Sequence, residues 1–393
     1  MAPRRRPILL LAPRIAFYAY VLEQLGAGFK ALGYPCDCLN IQLEQDKVAA
    51  WARRTRACAV LEINRVLSPD IDWPTGVAHV AWIQDFRAYG RLVTKDLGVS
   101  DRLYFIVQPS VFGVTIPPDR AWSVLNPGVR TDVPVPTAAA AARDFCFAGY
   151  IPFPPDMQTP VSEMPDGRVV TLEEFLAHFP AAALQQSQTS LEMSDTAIDE
   201  TCARIGCAPI TKDEIRALLD EDLVRIEERR KVLEAILTVS KSLDILGAPT
   251  WQYWPQFKPY YRGLFLDPRE LDHRYQTTRI NLHNGILTMH FRVLDCLAAG
   301  AFVMVNETDL DFMPGGIRMH FEPDKHYGTY RMDDAAEAAK RYLADEPARQ
   351  RIAAEGRHEV LASHTWAHRA LQILRDLDLP VETADRRISV PAS

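Results

Sequence analysis

Several things are missing from this 393-residue chain. No apolar stretch reaches the roughly 20 residues that a membrane-spanning helix needs. No basic field is present: the formal net charge is −7, which argues against a nucleic-acid partner. Cysteine is sparse and odd in number, seven residues spread along the chain, which predicts a reduced, cytoplasmic setting. Cys36-x-Cys38 and Cys202-x4-Cys207 lack the paired spacing of zinc sites and read as structural. No Gly-x-Gly-x-x-Gly fingerprint follows the first apolar run, so a dinucleotide site there is unsupported. The start Met-Ala-Pro-Arg-Arg-Arg before Ile8-Leu-Leu-Leu imitates a leader. Pro13 and Arg14 break that run, and a first buried strand is expected instead.

What is present is an ordinary globular composition, 48% hydrophobic and 24% charged, on a chain long enough for two cores. Pro7–Leu11, Ala57–Ile63, Gly76–Ile83, Leu103–Val107 and Ala121–Leu125 are apolar runs of strand length. Phe17–Leu32 between the first two is helical, ended by Gly33-Tyr-Pro35. Gly26-Ala-Gly28 inside it reads either as room for a ligand or as a helix irregularity. The alternation predicts a parallel α/β sheet. Thr131–Ala142, proline-rich and then alanine-rich, is the linker candidate. Phe145-Cys-Phe-Ala-Gly149 opens a second series, and Gly149 leaves room for a phosphate or sugar near the backbone. Residues 151–210 exceed a minimal α/β half and are expected to be an insertion that shapes a cleft or a homo-oligomer contact. Thr211 to Leu246 reads as a long charged helix, with Thr211 and Glu214 as a capping box. Thr250–Tyr261 is unusually aromatic, suited equally to stacking on a ligand and to packing at a domain edge. The expected division is 1–135, then 143–360, then a C-terminal helix and tail over 361–393.

Met289–Val305 is the stretch around which the rest is arranged. Phe291, Leu294 and Ala298 share one helical face, Gly300 stops the helix, and Ala301–Val305 is a buried strand. Arg292 near the helix start is a bidentate phosphate donor, and Asp295 one turn on can hold a ribose diol. The same spacing also fits an ordinary helix–strand unit with a surface Arg–Asp pair. Asn284 with Gly285 follows the preceding strand, and His290 sits beside the helix start; Asn284 also suits a turn.

Asp85, at the C-terminal end of the Gly76–Ile83 run, lies where open α/β sheets bind ligands. It is a candidate general base, or alternatively a helix N-cap. His79 inside the strand reads as a core histidine. Asp70-Ile-Asp72 and Asp309-Leu-Asp311 match a short metal-binding pattern that is common in acidic loops. His364 and His368 lack a glutamate at the metalloprotease spacing, and Lys325 reads as a solvated loop lysine. No metal site is expected.

Arg292-Val-Leu-Asp-Cys-Leu-Ala-Ala-Gly-Ala-Phe302 resembles the donor-site signature of group 1 glycosyltransferases, in particular the branch related to the spore maturation protein CgeB. The likeness reaches back to Tyr275–Asn284 and forward through Met332-Asp-Asp-Ala335, Ala353–Arg357 and His364–Arg369. It covers about the last 130 residues well and the first half loosely. Two positions depart from the pattern: Asp295 stands for the usual glutamate, and an earlier glutamate falls at Leu287. The resemblance implies a GT-B fold, two Rossmann-like domains facing a central cleft. It implies metal-independent transfer of a sugar from a UDP- or GDP-linked donor to a hydroxyl acceptor on a glycan, protein or small molecule. It places the donor on the C-terminal half, with Tyr275 delivered beside it, and it implies no separate cofactor. Two rivals share the fold: a non-catalytic nucleotide-sugar or glycan binder, and a nucleotide-sugar epimerase that turns over without an acceptor.

Overall fold

The computed structural model describes residues 5–85, 87–88, 91–92, 97–135, 141–180, 191–265 and 267–381. Two six-stranded parallel sheets dominate it. The first runs in the order Cys36–Leu39, Ile8–Leu11, Ala59–Ile63, Ala78–Ile83, Arg102–Phe105, Trp122–Val124. Ile8 to Leu11 are all at most 1% exposed, as a strand covered on both faces requires. Each fully buried Leu or Ile contributes about 1.5–3 kcal/mol, so these runs fix the strands more firmly than local propensity does. The second sheet runs Tyr261–Gly263, Leu243–Leu246, Arg143–Ala148, Thr278–His283, Val303–Asn306, Gly328–Tyr330. Helix Phe291–Ala298, here the cleft helix, connects the fourth and fifth of these strands. It ends at Gly300, whose φ of 68° is the left-handed conformation that favours glycine.

Helix Ala16–Ala31 is unbroken, which removes the helix-irregularity reading of Gly26-Ala-Gly28. A Cβ on Gly28 would lie 2.5 Å from the Trp366 carbonyl oxygen. The glycine serves packing, not a ligand: helix Trp366–Asp376 returns from the far end of the chain and lies on the first helix. Trp366, Ala370, Leu371 and Leu374 share one core there with Tyr18, Val21, Leu25 and Phe29. Asp376 fixes its end by accepting from Tyr104 Oη at 2.7 Å and Arg102 Nη2 at 3.0 Å.

The segment after Gly149 forms a small subdomain. Strands Pro160–Glu163 and Val169–Thr171 make a hairpin, followed by helices Leu172–His178 and Leu191–Ile205. Its core draws Val161, Val170, Phe175 and Ile198 together with Ile215, Leu219 and Leu223, so it continues past residue 210. The expected Thr211–Glu214 capping box does not form. The helix begins at Asp213 without a side-chain cap, passes through a wide turn over Leu218–Leu223 and resumes as Val224–Val239.

Contacts cross between the halves. Phe17 meets Phe291 edge-on at 4.7 Å, and Gln108 N donates to the Pro314 carbonyl at 2.9 Å. Leu287 packs against the cluster of Ile83, Leu103 and Phe105. An apolar interdomain contact therefore occupies the position where the resemblance has glutamate. Among the described residues no helix is long and apolar enough to cross a membrane.

Candidate functional site

Strand Arg143–Ala148 ends at Gly149, and three arginines gather around that end. Arg292 Nη1 donates to the Ala148 carbonyl oxygen. A Cβ on Gly149 would lie 2.7 Å from that same nitrogen, so the space left by the glycine is filled by the guanidinium. Arg225 and Arg229 come from the first turns of helix Val224–Val239. Their guanidiniums lie over the Tyr150 ring at 4.9 and 5.1 Å, and Arg229 also faces Phe147 at 5.8 Å. Arg229 is buried, with Nε and Nη1 unpartnered. Burial and the neighbouring Arg225 and Arg292 push its guanidinium well below the ordinary range. Like charges a few Å apart at an effective dielectric of about 20 repel by roughly 3 kcal/mol, a penalty that a bound dianion reverses. The sequence reading missed Arg225 and Arg229, whose helix looks merely charged. Their i,i+4 spacing was the available signal, since a like-charge pair at that spacing is unfavourable without an anion.

Beside Arg229, Glu228 is buried with Oε1 unpartnered, and burial pushes its carboxyl up to about 8. It is therefore largely neutral at pH 7 and adds no negative charge against an anion.

His290 caps the cleft helix: its Nδ1 accepts from Arg292 N at 3.2 Å. Burial and Arg292 hold it neutral, so the proton sits on Nε2, a donor at the same helix end. His283 stacks on His290 at 5.3 Å, with Nε2 paired to the Leu287 carbonyl at 3.2 Å. Burial lowers it to about 3.

Asp295, one turn along the cleft helix, keeps part of its surface open although protein surrounds it. No hydrogen bond reaches its carboxylate among the described residues. Burial, then the charge of Asp272, pushes it up to about 7; Arg130 offsets part of that. Arg130 is committed to a buried ion pair with Asp272, and Tyr20 of the first helix lies beside Arg130 and Asp295. Arg292 and Asp295 thus have separate surroundings, unlike the surface pair that the spacing also allowed.

Two expected positions lie behind the cleft surface. Tyr275 is 2% exposed, packed among Val293, Leu294 and Cys296, with its hydroxyl unpartnered. It supports the cleft helix from below. Asn284 is also 2% exposed, and its Nδ2 donates to Met332 Sδ at 3.6 Å. In both cases the interior packing of the sheet takes the side chain.

In the N-terminal half, Asp85 follows strand Ala78–Ile83 and is exposed. It is not a helix cap. Tyr18 Oη donates to Asp85 Oδ2, and Asn64 Nδ2 donates to the same oxygen at 2.7 Å and to Tyr18 Oη at 2.8 Å. The remaining expectations resolve simply. Asp311 is buried and accepts from Thr288 Oγ1 at 2.5 Å and Thr308 Oγ1 at 3.0 Å. Asp72 pairs with Arg53, and Lys325 with Glu322. His364 accepts from Arg369 at 2.6 Å, while His368 caps its own helix. His79 is a core histidine, held by Glu62 and Ser100 at 3.0 Å each. The aromatic segment divides: Trp251 is buried and donates to the Gly149 carbonyl at 2.9 Å, while Tyr253 is 61% exposed against Phe153.

Residues 226–375 match the family described as glycosyl transferase-like. Two solved structures share the architecture. AviGT4, a glycosyltransferase involved in avilamycin A biosynthesis, has 12% identity and a TM-score of 0.52, covering 95% of this chain and 97% of its own. Anabaena Alr3699/HepE, in complex with UDP-glucose, has 8% identity and a TM-score of 0.52, covering 94% and 99%. No curated protein matches the chain in sequence. The architecture is that of the GT-B fold, and within it residues 226–375 are similar to the glycosyl transferase-like family.

Proposed function

We propose that the protein transfers a sugar from a UDP- or GDP-linked donor to a hydroxyl acceptor, with the donor on the C-terminal domain and the acceptor on the N-terminal one. The observation that carries this reading is the convergence of Arg225, Arg229 and Arg292 at the end of strand Arg143–Ala148, with nitrogens of Arg229 unpartnered. A diphosphate has the charge and the acceptors to satisfy them. The N–H groups at the start of the cleft helix and the His290 Nε2 proton add donors at the same place. The partly exposed carboxylate of Asp295 accepts from a ribose diol, which pulls it back to the ionised form. HepE, bound to UDP-glucose in its own structure, supports a nucleotide-sugar donor for this fold.

In this reading the departing diphosphate is stabilised by guanidiniums and helix N-termini, so no divalent cation is required. Asp85 serves as general base at the acceptor hydroxyl, and the subdomain after Gly149 borders the acceptor side or an oligomer contact. The motif around Arg292 and Asp295 supports placement in the CgeB-related branch. All seven cysteines are free, which suits a reduced, cytoplasmic setting. The test is nucleotide release from UDP-glucose and from GDP-mannose, with and without EDTA. Release from one of them that survives EDTA is expected. Release from neither, or release that EDTA stops and Mn²⁺ restores, contradicts the proposal.

A further inference from the structure

We infer that Tyr18 and Asn64 are positioning residues that clamp one oxygen of Asp85 and leave the other free for the acceptor hydroxyl. The inference rests on the reading of Asp85 as general base and goes beyond it by naming the reacting oxygen and what holds it. Oδ2 receives two donors, the Tyr18 phenol and the Asn64 amide. Among the described residues no donor reaches Oδ1, and the residue is exposed at the sheet edge.

Asn64 is built for this role. It has a φ of 57°, a left-handed conformation that Asn tolerates better than most residues. In that conformation its Oδ1 accepts from Gln84 N at 2.8 Å and Asp85 N at 3.0 Å, while its Nδ2 reaches the Asp85 carboxylate. One side chain thus fixes both the backbone and the head group of Asp85. The turn is anchored beneath: the neighbouring Arg65 pairs with buried Glu62, which is held in turn by His79 and then Ser100. Tyr18 is buried, and burial together with Asp85 pushes its phenol above the ordinary range, so it stays a donor. It is the titratable group in contact with Asp85 among the described residues.

In the step, the acceptor O–H bond breaks and its proton goes to Asp85 Oδ1. The acceptor oxygen bonds to the anomeric carbon. The bond from that carbon to the diphosphate oxygen breaks, and its electron pair leaves with the nucleoside diphosphate. Fixing Oδ2 removes rotation of the carboxylate, so Oδ1 meets the hydroxyl without a search.

The test compares Tyr18→Phe, Asn64→Gly and Asp85→Asn by nucleotide release from UDP-glucose or GDP-mannose, whichever wild type turns over faster, with glycerol as acceptor. Glycine keeps the left-handed turn but removes the whole carboxamide, both its bond to Asp85 Oδ2 and its two backbone contacts, so Tyr18→Phe is the variant that loosens the carboxylate alone. Tyr18→Phe and Asn64→Gly are each expected to lower kcat by about tenfold with UDP or GDP affinity near wild type, the melting temperature holding for Tyr18→Phe and falling somewhat for Asn64→Gly, which also loses two backbone contacts. Adding Tyr18→Phe to Asp85→Asn is expected to change nothing further, a non-additivity that a purely structural role does not produce. If Asp85→Asn keeps full kcat, the general-base reading fails and the clamp with it. If Asp85→Asn loses turnover while Tyr18→Phe and Asn64→Gly keep full kcat, the base stands and the clamp alone is overturned.

Discussion

Two carboxylates, one just past a strand of the N-terminal sheet and one on the cleft helix of the C-terminal half, stand in opposite environments. Asp85 is exposed and already has two donors on one oxygen. Asp295 is surrounded by protein, has no hydrogen bond among the described residues and is pushed up to about 7. A surface carboxylate does not need a clamp for stability, since water would satisfy it. A largely enclosed carboxylate without a protein donor is unfavourable until something supplies one. The first arrangement fits a group that must act in one orientation. The second fits a group whose partner arrives with the ligand.

The largest expected effect breaks this contrast on the Asp85 side. Asp85→Asn should lower turnover by roughly a hundredfold or more while nucleotide affinity holds. A folded variant with normal turnover would reduce the Asp85 cluster to scaffolding. A smaller effect sharpens the Asp295 side. A diol hydrogen-bonds best to the ionised carboxylate, and a group titrating near 7 passes from mostly protonated to mostly ionised between pH 6 and 8. Affinity for uridine or guanosine should therefore rise by up to about tenfold over that range, measured by calorimetry. Asp295→Asn should flatten the curve, and Asp85→Asn should leave it intact. A wild-type affinity that does not rise with pH would remove the diol role.

The smallest effect is on stability. The folded-state value of Asp295 is raised, so the native state holds a proton that the unfolded chain has already released. Stability is therefore lost as pH rises from the ordinary carboxylate range through about 7. Asp295→Asn should raise the melting temperature relative to wild type at pH 8 and change it little at pH 5. An equal shift at both pH values would place the effect in packing instead of charge.

Much of the framework was legible because buried parallel strands need continuous apolar runs. The runs at Ile8, Ala59, Ala78 and Val303 became strands, and the helix read from Met289 to Gly300 was found at Phe291–Ala298. Less legible were features set by distant packing. Gly28 is small because Trp366 lies on it, more than 300 residues away in sequence, and no local pattern carries that. Tyr275 and Asn284 sit at the right places in the motif, but a motif gives position and not burial. Arg225 and Arg229 were missed because a charged helix normally faces water. Here the first turns of that helix end against Phe147 and Tyr150.

The proposed donor site is the cleft helix, with the diphosphate at Arg292 and the ribose at Asp295. Calorimetric titration of wild type, Arg292→Ala and Asp295→Ala with UDP and with uridine tests it most directly, with GDP and guanosine as the alternative pair. Loss of a charged hydrogen-bond partner costs about 1.5–3 kcal/mol, roughly ten- to over a hundredfold in affinity. Arg292→Ala is expected to lose that much for the diphosphate and little for the nucleoside, while Asp295→Ala loses it for both. Unchanged affinities in folded variants would show that the helix is scaffold and that the donor binds elsewhere.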